Sequence, residues 1–145
     1  MIKTDIIIIG AGPVGLFAVF EAGLMKLKCH VIDAIPIPGG QLSEIYPKKP
    51  IYDIPGFPSI LAGELIDNLM KQASPFKPGF TLGERAESIV KKKNGEFVVT
   101  TNKGTRHIAP IIFIAGGLGS FEPRKPKIDN IEYFEDKGVN YFVKE

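Results

Sequence analysis

The beginning of the chain carries the feature that most restricts its fold, a run of four isoleucines that breaks into closely spaced glycines. The β-branched run Ile6–Ile9 predicts a strand that is buried on both faces, as in a parallel sheet. Gly10, Gly12 and Gly15 follow with the spacing G-x-G-x-x-G, and an apolar segment long enough for a helix comes after them. Strand, glycine loop and helix in this order form the context in which the motif indicates a dinucleotide site.

Each residue of this loop has its own expected role. Gly10 can form the tight turn, Gly12 lets the backbone approach a pyrophosphate, and Gly15 lets helix and strand pack closely. The helix should begin near Pro13, which suits a first helical turn because its missing donor costs little there. The N–H groups that follow, from Val14 onward, would then point at the phosphates. The alternative is a glycine-rich turn between strand and helix that binds no ligand.

A second predicted strand, residues 29–33, ends in a carboxylate at Asp33. Asp33 follows Gly15 by 18 residues (33 − 15), close to the roughly 20 residues at which an acid that accepts ribose hydroxyls is expected. An acid at this position disfavours a 2′-phosphate, so the site favours NAD or FAD over NADP. The alternative is a solvated aspartate at the end of a strand.

Length and charge exclude several classes of protein. A chain of 145 residues suits one domain, and its net charge of +2, with lysines spread among acids, gives no sign of a nucleic-acid or membrane partner. Cys29 is the single cysteine, which excludes an intramolecular disulfide and fits a reducing compartment. No apolar run reaches transmembrane length, and the first residues do not resemble a signal peptide. We therefore expect a cytoplasmic protein.

The two histidines are expected to be structural. His30 alternates with residues that pack on a sheet, and the sequence shows no second histidine nearby with which it could form a metal site. His107 lies in another predicted strand and carries no further signal. No other side chain is a convincing acid, base or nucleophile, so the sequence predicts neither a metal site nor a catalytic residue.

Residues 34–61 are rich in proline and glycine, which argues against a long regular element. The apolar residues embedded in this stretch argue against disorder. Long loops of this kind in compact domains are usually functional. We expect an ordered loop that packs over a ligand, with Gly39 and Gly40 bringing the backbone close to it. The alternative is a structural excursion with no ligand contact.

The second half of the chain predicts a helix over residues 64–73 and then three short antiparallel strands, at 86–90, 97–101 and 105–108. A further buried strand, residues 111–115, leads into Gly116 and can rejoin the sheet beside the first strand. Ligands of such sheets bind outside the carboxyl ends of the strands, so the glycine loop, Asp33 and residues 116–121 can converge on one crevice. The alternative for residues 116–119 is a flexible exit loop. The predicted fold is α/β, a Rossmann-like parallel sheet with a small antiparallel β-meander inserted before the last parallel strand.

These segments resemble a known family, the thioredoxin-reductase-like ferredoxin–NADP reductases, along essentially the whole chain. The resemblance rests on residues 8–15, 38–42, 45–58 and 119–124. Within it, the Tyr-Pro-x-Lys-Pro-Ile-Tyr-Asp stretch that begins at Tyr46 separates this type from thioredoxin reductase proper. Members of the family are flavoproteins that pass electrons between NADPH and ferredoxin through FAD.

The resemblance implies a set of FAD contacts. The glycine loop would hold the pyrophosphate, Asp33 the adenosine ribose and Ala86, through its backbone, the adenine. Gln41 and Tyr46 would approach the flavin and ribityl end, and Phe121 the isoalloxazine region. Motif and resemblance together give this cofactor-binding set: Gly10, Gly12, Pro13, Val14, Gly15, Asp33, Gly40, Gln41, Leu42, Tyr46, Ala86, Gly116 and Phe121.

The chain departs from the family in length. Family members continue for roughly another domain, which should contain an NADP-binding domain with its own glycine fingerprint and a return segment that completes the FAD domain. The chain therefore resembles an amino-terminal part, with residues 1–125 in the FAD-binding domain and 126–145 in a connector. By itself it is not expected to complete the reaction, because the site for the hydride donor NADPH is missing. We further expect ferredoxin or a similar small redox protein as partner, and a homodimer.

Three other readings stay open. A thioredoxin reductase would share this half of the chain, since the C-x-x-C motif of those enzymes lies in the missing part. A non-catalytic nucleotide-binding or assembly module could pair with itself through exposed sheet edges. An NAD-dependent dehydrogenase would use the glycine loop for NAD, but the long proline-rich loop and the absence of a catalytic His/Lys/Tyr–Ser set argue against it.

Overall fold

A computed structural model describes residues 1–119, 126–135 and 137–139. Its strands and helices follow the order that the sequence predicts, with several short additions. In chain order they are β1 Ile2–Lys3, β2 Ile6–Ile9, α1 Pro13–Leu24, β3 Cys29–Asp33, α2 Gln41–Glu44, β4 Pro50–Ile51, β5 Ile60–Leu61, α3 Ala62–Ala73, a 3₁₀ turn Ser74–Phe76, β6 Gly79–Leu82, β7 Ala86–Lys91, β8 Phe97–Thr101, β9 Arg106–Ala109, β10 Ile111–Ile114 and α4 Ile131–Phe134.

The centre of the fold is a parallel sheet with the strand order β10-β2-β3-β6. Ile6 of β2 lies opposite Ile111 on one side and Cys29 on the other, so β2 is paired along both edges. The prediction that the last strand rejoins the sheet beside the first is confirmed. The fourth strand, β6, was not predicted and pairs in parallel with the outer edge of β3.

Successive side chains of β2 point alternately to the two faces of this sheet. Ile6 and Ile8 pack in a cluster with Val19 of α1 and Ala73 of α3. Ile7 points the other way and packs with Val99 and other residues of the opposite layer. Both Ile7 and Ile8 are fully buried, which explains why the strand is apolar at every position. The molecule thus has three layers, helices, parallel sheet and a second sheet.

The second sheet is the predicted antiparallel meander, with the strand order β1-β9-β8-β7. Strands β7, β8 and β9 pair antiparallel, and the short β1 adds to β9 in parallel. The third meander strand runs over Arg106–Ala109, slightly later than predicted, and β1 was not predicted. The predicted fold class, a Rossmann-like parallel sheet with an inserted meander, is confirmed.

The proline-rich loop between β3 and α3 contains no long regular element, as predicted. It does form one turn of helix, α2, and a two-stranded antiparallel ribbon of β4 and β5. The backbone closes on itself where the N–H of Ala62 donates to the carbonyl of Lys49 at 3.0 Å and that of Gly63 to the carbonyl of Pro47 at 2.8 Å. These bonds order the loop against the start of α3.

The expectation that His30 has no second histidine nearby is wrong. The rings of His30 and His107 lie with their centroids 4.7 Å apart between the two sheets. The hydroxyl of Thr81, in the unpredicted β6, joins them, with its oxygen 2.8 Å from Nε2 of His30 and 2.9 Å from Nε2 of His107. Burial, and next the charge of His107, lowers the pKa of His30 to about 4, and burial also lowers the pKa of His107. Both rings are therefore neutral at physiological pH.

Metal ligation and membrane crossing find no support in the described structure. Within residues 1–119, 126–135 and 137–139, no group of three or more histidine, cysteine, aspartate or glutamate side chains could hold a metal ion. No helix in the described ranges has the length and apolarity that crossing a bilayer would require.

An exposed apolar groove of about 860 Å³ runs between α1, α3 and the edge strand β10. Its exposed side chains include Val14 and Phe17 of α1 and Phe113 of β10.

The short helix α4, near the end of the described chain, was not predicted from the sequence. Of the predicted connector at 126–145, residues 126–135 and 137–139 are described.

Candidate functional site

A cavity of about 610 Å³ opens at the carboxyl ends of β2, β3 and β10. This is the edge at which parallel α/β sheets bind their ligands. Eleven of the predicted site residues line it: Gly10, Gly12, Pro13, Val14, Asp33, Gly40, Gln41, Leu42, Tyr46, Ala86 and Gly116. The structure therefore brings together, in one crevice, residues that are far apart in sequence.

Gly10 forms the turn at the end of β2. Its φ of +109° is a conformation that side-chain-bearing residues rarely adopt, and a Cβ there would collide with the backbone carbonyl of Ala115. The Gly10 N–H donates to the carbonyl of Ile32 at 2.8 Å, and the Ala115 N–H donates to the carbonyl of Ile9 at 2.7 Å. The ends of β3, β2 and β10 are thus joined tightly at the floor of the cavity.

Gly12 precedes the first turn of α1 and lies at the wall of the cavity. Its backbone has an ordinary extended conformation, with φ −72° and ψ −176°. A Cβ at Gly12 would meet no protein atom within 4 Å. Neither the backbone nor the packing therefore requires a glycine here, whereas a ligand that approaches the backbone would require one.

The N-terminus of α1 is open toward this cavity. No side chain caps it, and Pro13 at its start has no N–H. The first N–H groups of a helix have no partner within the helix and carry its positive dipole end. Because Gly12, Pro13 and Val14 all line the cavity, this end of α1 is suited to bind an anion.

Gly15 lies behind the cavity and does not line it. A Cβ at Gly15 would collide with the carbonyl oxygen of Gly10. The glycine therefore permits the close contact between α1 and the turn, which is the role that the motif predicts for it.

Asp33 ends β3 with its half-buried carboxylate at the cavity. One oxygen, Oδ2, accepts the N–H of Ala11 at 2.6 Å, and the other, Oδ1, accepts the N–H of Ile35 at 2.9 Å. A carboxylate has about four acceptor positions, so two remain after these bonds. Asp33 can therefore accept ligand hydroxyls while it holds the backbone on both sides.

The proline-rich loop forms the wall opposite α1. Its Gly39 N–H donates to the carbonyl of Ala11 at 2.8 Å, and a Cβ on Gly40 would lie only 3.4 Å from the Cα of Gly12. At the far end of this wall, the Tyr46 hydroxyl lies 3.5 Å from Oε1 of Gln41, and the Lys49 ammonium lies 5.0 Å from the Tyr46 ring centre. The wall offers an amide and an aromatic ring to a ligand.

Two further segments complete the lining. Ala86 begins β7, next to an irregularity in its pairing with β8, and its neighbour Arg85 also lines the cavity. Gly116 follows β10, and a Cβ on it would again meet open space. The predicted contact Phe121 lies outside the described residues.

The cofactor-binding residues named from the sequence make up half of the described lining. Of the other half, Gly117, Leu118 and Gly119 belong to the segment 116–121 that was expected at this crevice. The additional residues are Ile9, Ile32, Ala34, Ile35, Glu44, Ile45, Arg85, Ala115, Gly117, Leu118 and Gly119. Most of them lie next to a predicted residue in the sequence. Their nearness to the motif residues at the strand ends is therefore the signal that could have identified them. None of the described lining residues is a serine, cysteine, histidine or lysine. The cavity therefore offers groups that bind and orient a ligand, and no nucleophile paired with a base.

Comparison with known proteins defines the class first. No family model matches the chain. Among solved structures, the fold matches thioredoxin reductase from T. acidophilum with a TM-score of 0.69 and 24% identity, over 95% of this chain and 42% of that one. The chain thus has the α/β fold found in that enzyme.

Sequence comparison then shows similarity to named proteins. The chain is 73% identical, over 99% of its length, to a protein from Flavobacterium johnsoniae named ferredoxin–NADP reductase. It is 74% identical, over its whole length, to ferredoxin–NADP reductase 2 from Christiangramia forsetii. In both cases the match covers 41% of the relative, so the chain spans about two fifths of the length of the proteins it matches. The predicted resemblance is confirmed: along nearly its whole length the chain is similar to part of proteins named ferredoxin–NADP reductase.

Proposed function

We propose that the chain binds FAD and forms the FAD-binding part of a flavoprotein oxidoreductase that moves electrons between NADPH and ferredoxin. The observation that carries this proposal is the open space at Gly12. A glycine that the protein's own backbone and packing do not need stands at an uncapped helix N-terminus, beside a carboxylate at the end of the next strand. A bound dinucleotide explains all three features at once.

The lining residues divide along the cavity in a way that suits the parts of FAD. The N-terminus of α1, with Gly12 and Val14, would bind the pyrophosphate, and Asp33 would accept the ribose hydroxyls. The backbone at Ala86 would contact the adenine. The amide of Gln41 and the ring of Tyr46 would lie toward the ribityl and flavin end, together with Gly116 and with Phe121 from outside the described residues.

When bound, FAD would supply the hydride and single-electron chemistry that protein side chains do not provide. The contribution of this chain is to bind the group, fix its orientation and shield part of it from water. The lining supports this proposal, because its described polar groups are backbone N–H groups, the Asp33 and Glu44 carboxylates, the Gln41 amide, the Tyr46 phenol and the Arg85 guanidinium, which bind and orient a ligand. We place the FAD-binding part at residues 1–125 and a connector toward an NADP-binding domain at 126–145.

Equilibrium dialysis of the chain against FAD, with NADH and FMN as comparison ligands, tests this function. We expect FAD to be retained, FMN to bind much more weakly because it lacks the pyrophosphate and adenosine, and NADH to compete poorly. Retention of NADH without FAD would instead support a dehydrogenase. If the chain retains none of the three ligands, the cofactor proposal fails.

A thioredoxin reductase is the second candidate, because the fold matches such an enzyme over most of this chain. The high identity to ferredoxin–NADP reductases favours the first proposal. Electron transfer to a ferredoxin and to a thioredoxin by the complete enzyme would decide between them. The ferredoxin partner, the homodimer and the cytoplasmic location remain predictions.

A further inference from the structure

The Asp33 carboxylate holds two backbone segments in addition to lining the cavity. Oδ2 accepts the N–H of Ala11, inside the glycine loop, at 2.6 Å, while Oδ1 accepts the N–H of Ile35, in the chain that leaves β3, at 2.9 Å. Both are bonds between a charged acceptor and a backbone donor, which are stronger than neutral hydrogen bonds. Asp33 therefore connects the end of β3 to the loop that begins after β2.

The bond to Ala11 bears on the orientation of the ligand-binding backbone. The N–H of Ala11 is held by Asp33, and its carbonyl is held by the N–H of Gly39 at 2.8 Å. The Ala11 carbonyl and the Gly12 N–H belong to one peptide group, which is planar and trans, so they point in opposite directions. The Gly39 bond thus sets the direction of the Gly12 N–H, while the Asp33 bond fixes the preceding peptide group, between Gly10 and Ala11. Together the two bonds hold both peptide groups that flank Ala11 in the glycine loop.

Only a carboxylate can accept both backbone N–H groups at this position without leaving one of them unpaired. Each of its oxygens accepts, whereas an asparagine has one accepting oxygen and one donating NH₂ group. In Asp33→Asn, the NH₂ group would face either the Ala11 or the Ile35 N–H, donor against donor. Ala11 is fully buried, so water could not readily replace the lost acceptor.

We propose that Asp33 is a positioning residue: its carboxylate sets the glycine loop in its ligand-binding conformation before the ligand arrives, besides accepting ribose hydroxyls. The binding part of this inference rests on the proposed dinucleotide function. The loop-setting part concerns the ligand-free chain and stands apart from it.

Two nucleotides that differ only in the ribose diol separate these roles. ADP offers the hydroxyls that Asp33 would accept, and 2′,3′-dideoxy-ADP does not. Titration calorimetry with each ligand compares the wild type with Asp33→Asn. As matched control we choose Asp5→Asn, because Asp5 also accepts a backbone N–H, from Lys28 at 2.8 Å, but precedes β2 at the opposite end of the sheet.

We expect Asp33→Asn to weaken the binding of dideoxy-ADP by about tenfold or more, since loss of one charge-assisted hydrogen bond changes an equilibrium by about that factor. ADP should be weakened further, because it loses the diol contact as well. Asp5→Asn should leave both affinities within about twofold. If Asp33→Asn weakens ADP alone and binds dideoxy-ADP like the wild type, Asp33 is a ribose contact only and the inference is overturned.

Amide exchange in the ligand-free chain tests the loop-setting role even if neither nucleotide binds. Failure of both nucleotides to bind would contradict the proposed dinucleotide function. In the ligand-free wild type, the Ala11 amide should exchange with solvent at least about tenfold more slowly than in Asp33→Asn. If that variant does not fold, the wild type alone serves: its Ala11 amide should exchange at least about tenfold more slowly than an exposed amide of the same chain. An Ala11 amide that exchanges like an exposed one, or equally fast in the two chains, overturns the inference.

Discussion

The carbonyl group of Ala115 lies where a side chain on Gly10 would have to begin. This contact joins the end of β10 to the turn after β2, although the two residues are 105 positions apart (115 − 10). The floor of the cavity is therefore made of two strand ends in direct backbone contact. Glycine at position 10 is a requirement of the fold, whereas glycine at position 12 is not.

Substitutions at Gly12 and Gly15 should separate ligand binding from folding. Gly12→Ala should change the free energy of unfolding by no more than about 1 kcal/mol, since its Cβ meets no protein atom within 4 Å, and should greatly weaken FAD binding. Gly15→Ala should lower that free energy by about 2 kcal/mol or more, because its Cβ would collide with the Gly10 carbonyl. Denaturant unfolding and FAD titration measure the two effects.

The opposite pattern would contradict this assignment. A Gly12→Ala chain that binds FAD like the wild type would remove the main support for the pyrophosphate site. A Gly15→Ala chain of unchanged stability would show that α1 and the turn are less closely packed than the structure indicates.

The two buried histidines predict a pH dependence of stability. The pKa of His30 is lowered from 6.5 to about 4 in the folded chain, so between these values the unfolded state binds more protons. The stability contributed by neutral His30 is fully present above about pH 6.5 and is lost as the pH falls toward 4. The loss amounts to about 3 kcal/mol for this group, and His107, also lowered, acts in the same direction.

Denaturant unfolding at several pH values tests this dependence. The double variant His30→Gln, His107→Gln should be less stable at neutral pH but should lose less stability than the wild type between pH 6.5 and 4. Equal losses in the two chains would show that carboxyl groups, and not the histidines, cause the acid sensitivity.

Thr81 should be needed for its hydroxyl rather than for its shape. Thr81→Val keeps the volume but leaves the Nε2 atoms of His30 and His107 without their shared partner, at a cost of about 2 kcal/mol. Thr81→Ser keeps the hydroxyl and should cost less than half as much. Thermal or denaturant unfolding of the two variants gives the comparison. A valine variant as stable as the serine variant would contradict the bridging role.

The single cysteine should be unreactive in the folded chain. Burial, and next the charge of Asp5, raises the pKa of the Cys29 thiol from 9.0 to about 11. The fraction of reactive thiolate at neutral pH is therefore about 100-fold lower than in the unfolded chain (two pKa steps). An aromatic disulfide reagent should modify the native chain at least that much more slowly than the denatured one. Equal rates would show that β3 opens readily to solvent.

Local signals explain why so much of the fold could be predicted. The isoleucine run, the glycine spacing and the carboxylate at Asp33 are each readable over a few residues, and together they placed β2, α1 and β3. The β6 strand was missed because Gly79–Leu82 is short and lacks a clear alternation. Its identity as a strand comes from its pairing with β3, nearly 50 residues earlier.

Contacts between distant side chains could not be predicted in the same way. His30 and His107 meet because β3 and β9 belong to different sheets that face each other, a relationship that no local pattern encodes. The bonds from Asp33 to Ala11 and Ile35 depend on the backbone conformation of two loops. Motif and resemblance named half of the residues that line the cavity, whereas the way these residues hold one another could not be predicted.

The most direct test of the proposed cofactor site is an NMR titration of the isotope-labelled chain with FAD, followed through the backbone amide signals. We expect saturable shifts at Gly12, Val14, Asp33, Gln41, Tyr46 and Ala86, with the signals of His30, Thr81 and His107 unaffected. Shifts confined to the apolar groove between α1, α3 and β10, or none at all at excess FAD, would contradict FAD binding at this site.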